Sequence, residues 1–251
     1  MWLRGHPQRT VLRPHRALSA VPVRARRQQE LSMTTPRDLM FVALDPASGR
    51  PPGQGELSLG LAGAELIDLV DAGAAELDGD HIVPAGVDAP DDALLRAAAS
   101  VLVREEPYES VDDWLWRRGR DLFSAYQAAL EEEGLLTRQR GRRLPFRAGS
   151  EPTLVDSPER RRAAGRLTAE EPVLTALVAA VLIHDESADG SDGSDGSDSF
   201  GGSDGSAESV DLPDGVEAVL AAVGTAELEL AAVRQRRDVE QAAFDNIWRG
   251  V

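Results

Sequence analysis

The sequence predicts a mostly α-helical protein, a helical bundle with two short β-hairpins and a disordered acidic loop. Three observations lead to this prediction. Apolar residues recur every three or four positions through most of the chain, as in helices that bury one face. Two short segments instead have a glycine between runs that favour strands, as hairpins do. One long stretch is almost entirely Asp, Gly and Ser, and the apolar fraction of the whole chain, 42%, is sufficient for one packed core.

The first 32 residues differ from the rest in charge. Seven arginines stand there against a single acid, Glu30, in a chain whose formal net charge is -16. A targeting peptide, a basic arm and a wrongly chosen upstream start codon are the three interpretations. We favour the third, because Met33 is followed by Thr-Thr-Pro, which resembles the cap and first turn of a helix. We therefore predict a disordered basic extension at residues 1–32, a domain at residues 33–251, and structure that begins near Thr35.

Three helices are predicted in the first hundred residues. The first runs from Arg37 to Leu44 and ends where Asp45 and Pro46 begin a turn region. The second presents one apolar face, and the third begins with two acids, which are favourable at the positive end of a helix. The positions are Leu59, Gly63, Leu66, Ile67 and Val70 in the second helix, and Leu94, Leu95, Ala98, Val101 and Leu102, after Asp91 and Asp92, in the third.

The remaining helices are predicted from an N-cap and three apolar stripes. Ser110 resembles an N-cap and opens a helical segment that extends to Leu130, with a kink predicted at Gly119. We interpret all the stripes as core, because apolar residues at helical spacing usually face the interior. The stripes are Leu174, Leu177, Val178, Val181 and Leu182, then Val216, Val219, Leu220 and Val223, and finally Val239, Phe244, Ile247 and Trp248.

Two hairpins are predicted, each directly after a helix that ends in glycine. The first pairs residues 75–77 with residues 81–83, and the second pairs residues 135–140 with residues 142–146. A glycine commonly ends a helix because it adopts the left-handed conformation without steric cost. The helix-ending glycines are Gly73 and Gly134, and the turn glycines are Gly79 and Gly141.

A stretch of Asp, Gly and Ser spans residues 185–211, with nine acids and no base. Such a composition cannot bury enough apolar surface to offset the chain entropy lost on folding, so a flexible loop is predicted. A calcium site is not favoured. The repeat has a period of three, without the nonapeptide spacing of a β-roll or the terminal Glu of an EF-hand loop.

The composition excludes several classes of protein. A chain of net charge -16 repels nucleic acid, so general nucleic-acid binding is not predicted. The absence of Cys excludes disulfides and thiolate sites and is compatible with a reducing, cytoplasmic location. No apolar run reaches the ~18 to 20 residues needed to cross a bilayer, so any membrane contact is predicted to be peripheral.

No pattern typical of catalysis or metal binding is found. His6, His15, His81 and His184 are too far apart in the sequence to pair as helical metal ligands, and neither a nucleophile elbow nor a phosphate-binding glycine loop is present. His184 beside Asp185 is interpreted as a cation at a helix C-terminus rather than as an acid–base pair. We predict no enzymatic activity and no cofactor.

Three segments carry a resemblance to a known family. They read DLMFVALD at residues 38–45, GLAGAELIDL at residues 60–69 and EEEGLLT at residues 131–137. In order and spacing they resemble the Golgi phosphoprotein 3 family, from about residue 36 to residue 183 and more faintly to the C-terminus. The run of Gly-Leu-x-Gly followed by Leu-Ile-Asp-Leu, before a hairpin, is the most specific part.

The resemblance implies a mostly α-helical, non-enzymatic protein that binds phosphatidylinositol 4-phosphate. It also implies a hairpin used in membrane contact and homo-oligomerisation, and adaptor activity toward membrane-protein clients. In the family a Trp and three Arg hold the headgroup. On this sequence those positions fall near Gly53 and on Ala62, Arg120 and Phe123, so only Arg120 keeps the family's residue. The resemblance therefore implies a phosphoinositide-like anionic headgroup without fixing the lipid.

Converging guanidinium groups are well suited to binding a phosphate monoester. The densest candidates lie before and within the second predicted hairpin, beside the apolar residues 144–146, and this mixture suits an anionic membrane interface. The alternative is that these arginines are solvated and paired with nearby acids such as Glu131, Glu132 and Glu133. The predicted lipid-binding residues are Arg117, Arg118, Arg120, Arg138, Arg140, Arg142 and Arg143.

Two other functions stay open. A winged-helix DNA-binding regulator also places a helix before a basic hairpin, but the helix before the second hairpin ends in three glutamates, which phosphates repel. A protein-interaction adaptor without lipid affinity is supported by the loss of three headgroup positions. A second basic run is either another anionic contact or, as we favour, a solvated helix face; it contains Arg160, Arg161, Arg162 and Arg166.

Overall fold

A computed structural model describes residues 34–49, 52–86, 91–138, 152–183 and 212–249. Within these ranges the chain forms eight α-helices and two small antiparallel sheets, so the predicted mostly α-helical fold is confirmed. The helices are α1 (Thr35–Ala43), α2 (Gln54–Asp71), α3 (Ala93–Ser100), α4 (Val111–Arg118), α5 (Leu122–Glu132), α6 (Pro158–Thr168), α7 (Pro172–Ile183) and α8 (Asp214–Arg249). The strands are β1 (Ala75–Asp78), β2 (His81–Pro84), β3 (Leu136–Arg138) and β4 (Pro152–Leu154).

Helix α2 lies at the centre of the bundle. Thirteen of its eighteen residues are buried, so it is covered on nearly every side and not only on the predicted apolar face. Helices α1, α4, α5, α7 and α8 all pack against it. Two glycines permit close approach: a Cβ on Gly60 would lie 2.5 Å from a methyl group of Val181, and one on Gly63 would lie 2.4 Å from a methyl group of Val223. The helix is therefore the core element on which the other helices are arranged.

Buried and partly buried ion pairs connect α1 to the rest of the bundle. The guanidinium of Arg37 donates to Asp92 at 2.8 Å and to Glu133 at 2.6 and 2.7 Å. The neighbouring Asp38 accepts a hydrogen bond of 2.6 Å from Arg166 of α6. Removing one partner of such a pair leaves a charge without compensation in the interior, which is strongly destabilising.

The segment that opens at Ser110 is two helices and not one. Ser110 caps α4 as predicted, since its Oγ accepts the N–H of Asp113 at 3.1 Å. The chain then breaks at Gly119, near the predicted kink, and Asp121 adopts a left-handed φ of 57°. A Cβ on Gly119 would lie only 2.6 Å from the carbonyl oxygen of Leu115, so the break requires glycine.

The first hairpin is confirmed, and the return strand of the second was wrongly predicted. Strands β1 and β2 pair as expected, with Leu77 opposite Ile82. Strand β3 pairs with β4, so Leu136 faces Leu154 and not a residue of the predicted 142–146 strand. Both leucines are buried, and the core contact that they share sets the pairing. Residues 139–151, including the predicted turn at Gly141, lie outside the described residues.

The C-terminal region contains the largest departure from the predicted core. The last two stripes belong to one continuous helix of 36 residues, α8. Its first half packs against α2, α4 and α7. In its second half Val239, Phe244 and Trp248 are 62, 56 and 70% exposed, so the prediction that they are core residues is wrong. The side chain of Ile247 lies outside the described residues.

The predicted basic extension at residues 1–32 and the predicted acidic loop at residues 185–211 lie outside the described residues. In the part of the chain that the structure describes, no helix combines the length and the apolar character that crossing a bilayer requires.

Candidate functional site

Arg117 is held by a carboxylate on the surface of α4. Its guanidinium donates to both oxygens of Glu109, at 2.5 and 2.6 Å, and to the carbonyl of Val101 at 3.2 Å. It also lies over the indole of Trp114, 5.3 Å from the ring centroid, which is a cation–π distance. The hydrogen bond to Glu109 raises the pKa of Arg117. The charge of this arginine is therefore already compensated within the fold.

Arg118 points into the bundle. It donates to both carboxylate oxygens of Glu65, at 2.6 and 2.9 Å, and Glu65 is fully buried in α2. The hydroxyl of Tyr126 donates to the same carboxylate at 3.1 Å. Burial raises the pKa of Glu65, while the bonds from Arg118 and Tyr126 oppose that rise. Through these contacts Arg118 helps to hold helices α2, α4 and α5 together.

Arg120 differs from both. It is exposed, it follows the end of α4, and no carboxylate among the described residues forms an ion pair with it. It lines an open cleft of about 280 Å³ between the start of α2, the break between α4 and α5, and one residue of α8. The cleft combines polar and apolar groups, among them Ser58, Trp116, Asp121, Phe123 and Leu230.

Helix α2 fixes the cleft wall that carries Arg120. The hydroxyl of Ser58 accepts the backbone N–H of Phe123 at 3.2 Å, which ties the first turn of α5 to α2. Gly119 packs so closely that a Cβ there would lie 3.3 Å from the carbonyl oxygen of Ser58. The backbone on either side of Arg120 is thus held in place while its side chain is exposed.

A second guanidinium, which sequence reasoning did not single out, lies beside the cleft. Arg234 of α8 forms an ion pair with Glu56 and lies close to the backbone of Gly53 and Gly55. A Cβ on Gly55 would meet Arg234 at 2.8 Å and Leu230 at 2.9 Å, so glycine leaves the space that the arginine occupies. Arg234 is far from the other cleft residues in sequence, and no local pattern marks it.

Two positions that the resemblance assigns to headgroup binding are apolar here and packed in the protein. Ala62 is completely buried, and its carbonyl accepts the indole N–H of Trp114 at 3.1 Å. Phe123 is 7% exposed and forms part of the cleft wall. Neither side chain can donate a hydrogen bond to a phosphate.

Of the hairpin arginines, the structure describes the backbone of Arg138. Arg120 precedes the 11-residue helix α5, and Arg138 follows that helix in β3. The side chain of Arg138, and all of Arg140, Arg142 and Arg143, lie outside the described residues. Of the predicted site residues, the structure therefore describes the side chains of Arg117, Arg118 and Arg120.

The second basic run has structural roles in α6. Arg160 donates to Asp45 at 2.8 and 3.0 Å, and Arg161 donates to Asp156 at 3.1 and 3.2 Å. Arg166 bridges Asp38 and Glu171, at 2.6 and 3.0 Å. Three of the four arginines thus have their charge offset by an acid of the same chain.

A comparison with protein-family models tests the family resemblance that the three sequence segments indicate. The model of Golgi phosphoprotein 3 (GPP34) matches residues 36–199, which contain α1 except its first residue, helices α2 to α7 and both sheets. The chain belongs to the Golgi phosphoprotein 3 family. No curated protein matches it. Helix α8, which supplies Leu230 and Arg234 to the cleft region, follows the part that matches the Golgi phosphoprotein 3 model.

Metal chemistry has no support in the described part of this Golgi phosphoprotein 3 family member. No group of three or more His, Asp and Glu side chains there is arranged to hold a metal ion. What the cleft offers is one uncompensated guanidinium, a second that is paired with a carboxylate, and an exposed indole.

Proposed function

We propose that this protein is a non-enzymatic peripheral membrane protein that binds the headgroup of an anionic phospholipid in the cleft at Arg120. The observation that carries the proposal is the state of that arginine. Of the three arginines in residues 117–120, it is the one whose guanidinium has no carboxylate partner among the described residues. A cation exposed in a cleft is free to form charge-assisted hydrogen bonds to a phosphate.

The surroundings of Arg120 suit a membrane interface. Trp116 is 38% exposed at the edge of the cleft, and Leu230 lines it from α8. Tryptophan is favoured at the boundary between lipid headgroups and acyl chains, because its ring is apolar and its N–H is polar. A headgroup held by Arg120 would therefore have an indole beside it to contact the lipid below.

The local charge predicts modest affinity that depends on salt. Asp121 lines the same cleft, and the charge of Arg234 is offset by Glu56. The chain has a net charge of -16 and therefore repels an anionic membrane, and one free guanidinium must bind the headgroup despite this repulsion. We therefore propose an affinity carried by a local contact and not by the general charge of the protein.

The basic segment that follows β3 in the sequence is proposed as a second membrane contact. It contains Arg140, Arg142 and Arg143, beside the apolar residues 144–146. If these residues bind anionic lipid, replacing Arg142 and Arg143 with Ser lowers binding to anionic vesicles. Unchanged binding would remove this segment from the proposal and leave the cleft alone.

Vesicle co-sedimentation tests the proposal. The full chain is mixed with phosphatidylcholine vesicles that contain either no anionic lipid, phosphatidylserine, or phosphatidylinositol 4-phosphate. We expect binding to anionic vesicles only, and about tenfold weaker binding for Arg120→Ser, the loss of one charge-assisted contact. The matched control is Arg161→Ser, an equal loss of charge in α6 at a residue that does not line the cleft, which should bind as the wild type does.

Two outcomes would contradict the proposal. A wild-type protein that binds no vesicle at low salt would instead be an adaptor without lipid affinity. A protein that retards duplex DNA in a gel and does not bind the vesicles would be a nucleic-acid-binding regulator.

A further inference from the structure

We propose that the second half of α8 pairs with the same helix of a second copy of this chain, in antiparallel orientation. This proposal does not rest on lipid binding. Its starting point is that residues 235–245 are all exposed, so this half of α8 has no cover from the described part of its own chain. A helix that continues for more than three turns beyond its bundle with large apolar side chains exposed indicates an interface.

One face of this half carries a regular pattern. Val233, Arg237, Glu240 and Phe244 are spaced by four, three and four residues. At 3.6 residues per turn they lie within about 60° of one another around the helix axis. Val233 and Phe244, which end the pattern, are 42 and 56% exposed. Spacings that alternate between three and four are those with which two helices pack side by side.

The pattern is complementary to itself when reversed. Read from either end it is apolar, charged, charged, apolar, and its centre falls between Asp238 and Val239. An antiparallel pair with its two-fold axis there places Arg237 opposite the Glu240 of the second copy, and Val233 opposite its Phe244. Both contacts occur twice, as the symmetry of a dimer requires. A parallel pair would instead place Arg237 beside Arg237 and Glu240 beside Glu240.

The charges that would form these contacts are available. Neither Arg237 nor Glu240 makes an ion pair with another described residue, although the two are three positions apart on one helix. Arg234, one turn earlier, differs in that it pairs with Glu56 of its own bundle. Arg237 and Glu240 thus follow Arg234, the residue of α8 that forms an ion pair with the bundle.

Charge favours a second copy over a bilayer on this face. Glu240 lies within the face, and over residues 235–249 three acids, Asp238, Glu240 and Asp245, balance three arginines. This half of the helix thus lacks the excess of positive charge that attracts an anionic bilayer, and headgroups would repel Glu240 within the face. In the antiparallel pair, by contrast, Glu240 is the partner that Arg237 needs. Phe244 and Trp248 form a tilted aromatic pair with ring centroids 5.9 Å apart, and this pair would lie at each end of the interface.

Sedimentation equilibrium of the full chain, between about 5 and about 200 µM, tests the pairing. The face is short, so we expect a dimer with a dissociation constant on the order of 10 µM. Arg237→Glu places like charges opposite each other twice and should weaken the dimer by about tenfold or more. The double variant Arg237→Glu with Glu240→Arg restores opposite charges and should return to within about threefold of the wild type.

Cysteine cross-linking tests the orientation, since the chain has no native Cys. A mixture of Val233→Cys and Phe244→Cys proteins should oxidise to a disulfide-linked heterodimer, and neither protein should cross-link alone. Self-cross-linking of Val233→Cys would show a parallel pair and overturn the proposal. So would a wild type that is monomeric at the highest concentration, or a dimer that neither charge variant changes. Vesicle binding that depends on Phe244 in a monomeric protein would identify a bilayer as the occupant instead.

Discussion

Arg118 donates two hydrogen bonds to Glu65 in the interior of the bundle, at 2.6 and 2.9 Å. This pair decides how the basic run of residues 117–120 is to be understood. Two of its three arginines are bound to carboxylates that lie far from them in sequence or across a loop, and the third, Arg120, is exposed in a cleft. The run is therefore a set of separate contacts with different partners, and only one of its charges is left for an anionic ligand.

Replacing Arg118 with Met should destabilise the fold. The substitution removes the partner of the buried Glu65 carboxylate, and breaking a buried pair in this way costs about 3 to 5 kcal/mol in the free energy of unfolding. Urea denaturation measures the change. The exposed Arg120→Ser is the control and should alter stability by less than about 0.5 kcal/mol. Equal stabilities for the two variants would mean that Arg118 does not hold α4 against α2.

Gly63→Ala should destabilise the contact between α2 and α8. The new Cβ would lie 2.4 Å from a methyl group of Val223, and overpacking of this kind costs about 1 to 3 kcal/mol. Gly224→Ala is the matched control, because Gly224 lies within α8 and a Cβ there meets nothing within 4 Å. That variant should gain about 0.5 to 1 kcal/mol from helix propensity. Thermal unfolding compares the two, and a stabilised Gly63→Ala protein would contradict the close packing.

Glu227→Gln should stabilise the protein at neutral pH. Burial in α8 raises the pKa of Glu227 from 4.5 to about 8, so the folded protein keeps this carboxyl protonated over a range in which the unfolded chain ionises it. Folding stability from this group is therefore greatest below pH 4.5 and is lost as the pH rises toward 8. Glutamine removes the titration.

The expected gain for Glu227→Gln at pH 8 is about 1 to 3 kcal/mol, with little difference at pH 4.5. Unfolding free energies of the two proteins, measured across this range, provide the comparison. A difference that is constant with pH would show that Glu227 does not titrate in the folded state as its burial indicates.

The helices were predictable where a local signal marked them. Ser110 caps α4, and the Oδ1 of Asp92 accepts the N–H groups of Leu94 and Leu95 at the start of α3, at 2.8 and 3.0 Å. These are contacts within three residues, and the sequence contains all of their information. The first hairpin was predictable for the same reason, because Gly79 specifies its turn.

The features that were missed depend on contacts between distant residues. Strand β4 forms at residues 152–154 because Leu154 can be buried opposite Leu136, and no turn signal near residue 141 reports that burial. The arginines of α6 resemble a solvated basic face in the sequence, because two of the acids that pair with them, Asp38 and Asp45, lie more than 100 residues earlier. The apolar stripe at the end of α8 has helical spacing, but spacing alone does not tell a core from an exposed interface.

The candidate site was predictable in part. Arg120 was identified from the family pattern, and its exposure in a cleft distinguishes it from Arg117 and Arg118, which were identified with it. Arg234 was not predicted, because its place beside Gly53 and Gly55 exists only after α8 has packed on α2.

Vesicle co-sedimentation of two variants, Arg117→Ser and Arg120→Ser, tests the role of the cleft most directly. The vesicles contain phosphatidylinositol 4-phosphate or phosphatidylserine. The two substitutions remove the same charge three positions apart, but Arg117 is already bound to Glu109. We expect Arg120→Ser to weaken binding by about tenfold and Arg117→Ser to leave it within about twofold of the wild type. Equal losses for both variants would show that general positive charge, and not a headgroup held by Arg120, brings the protein to the membrane.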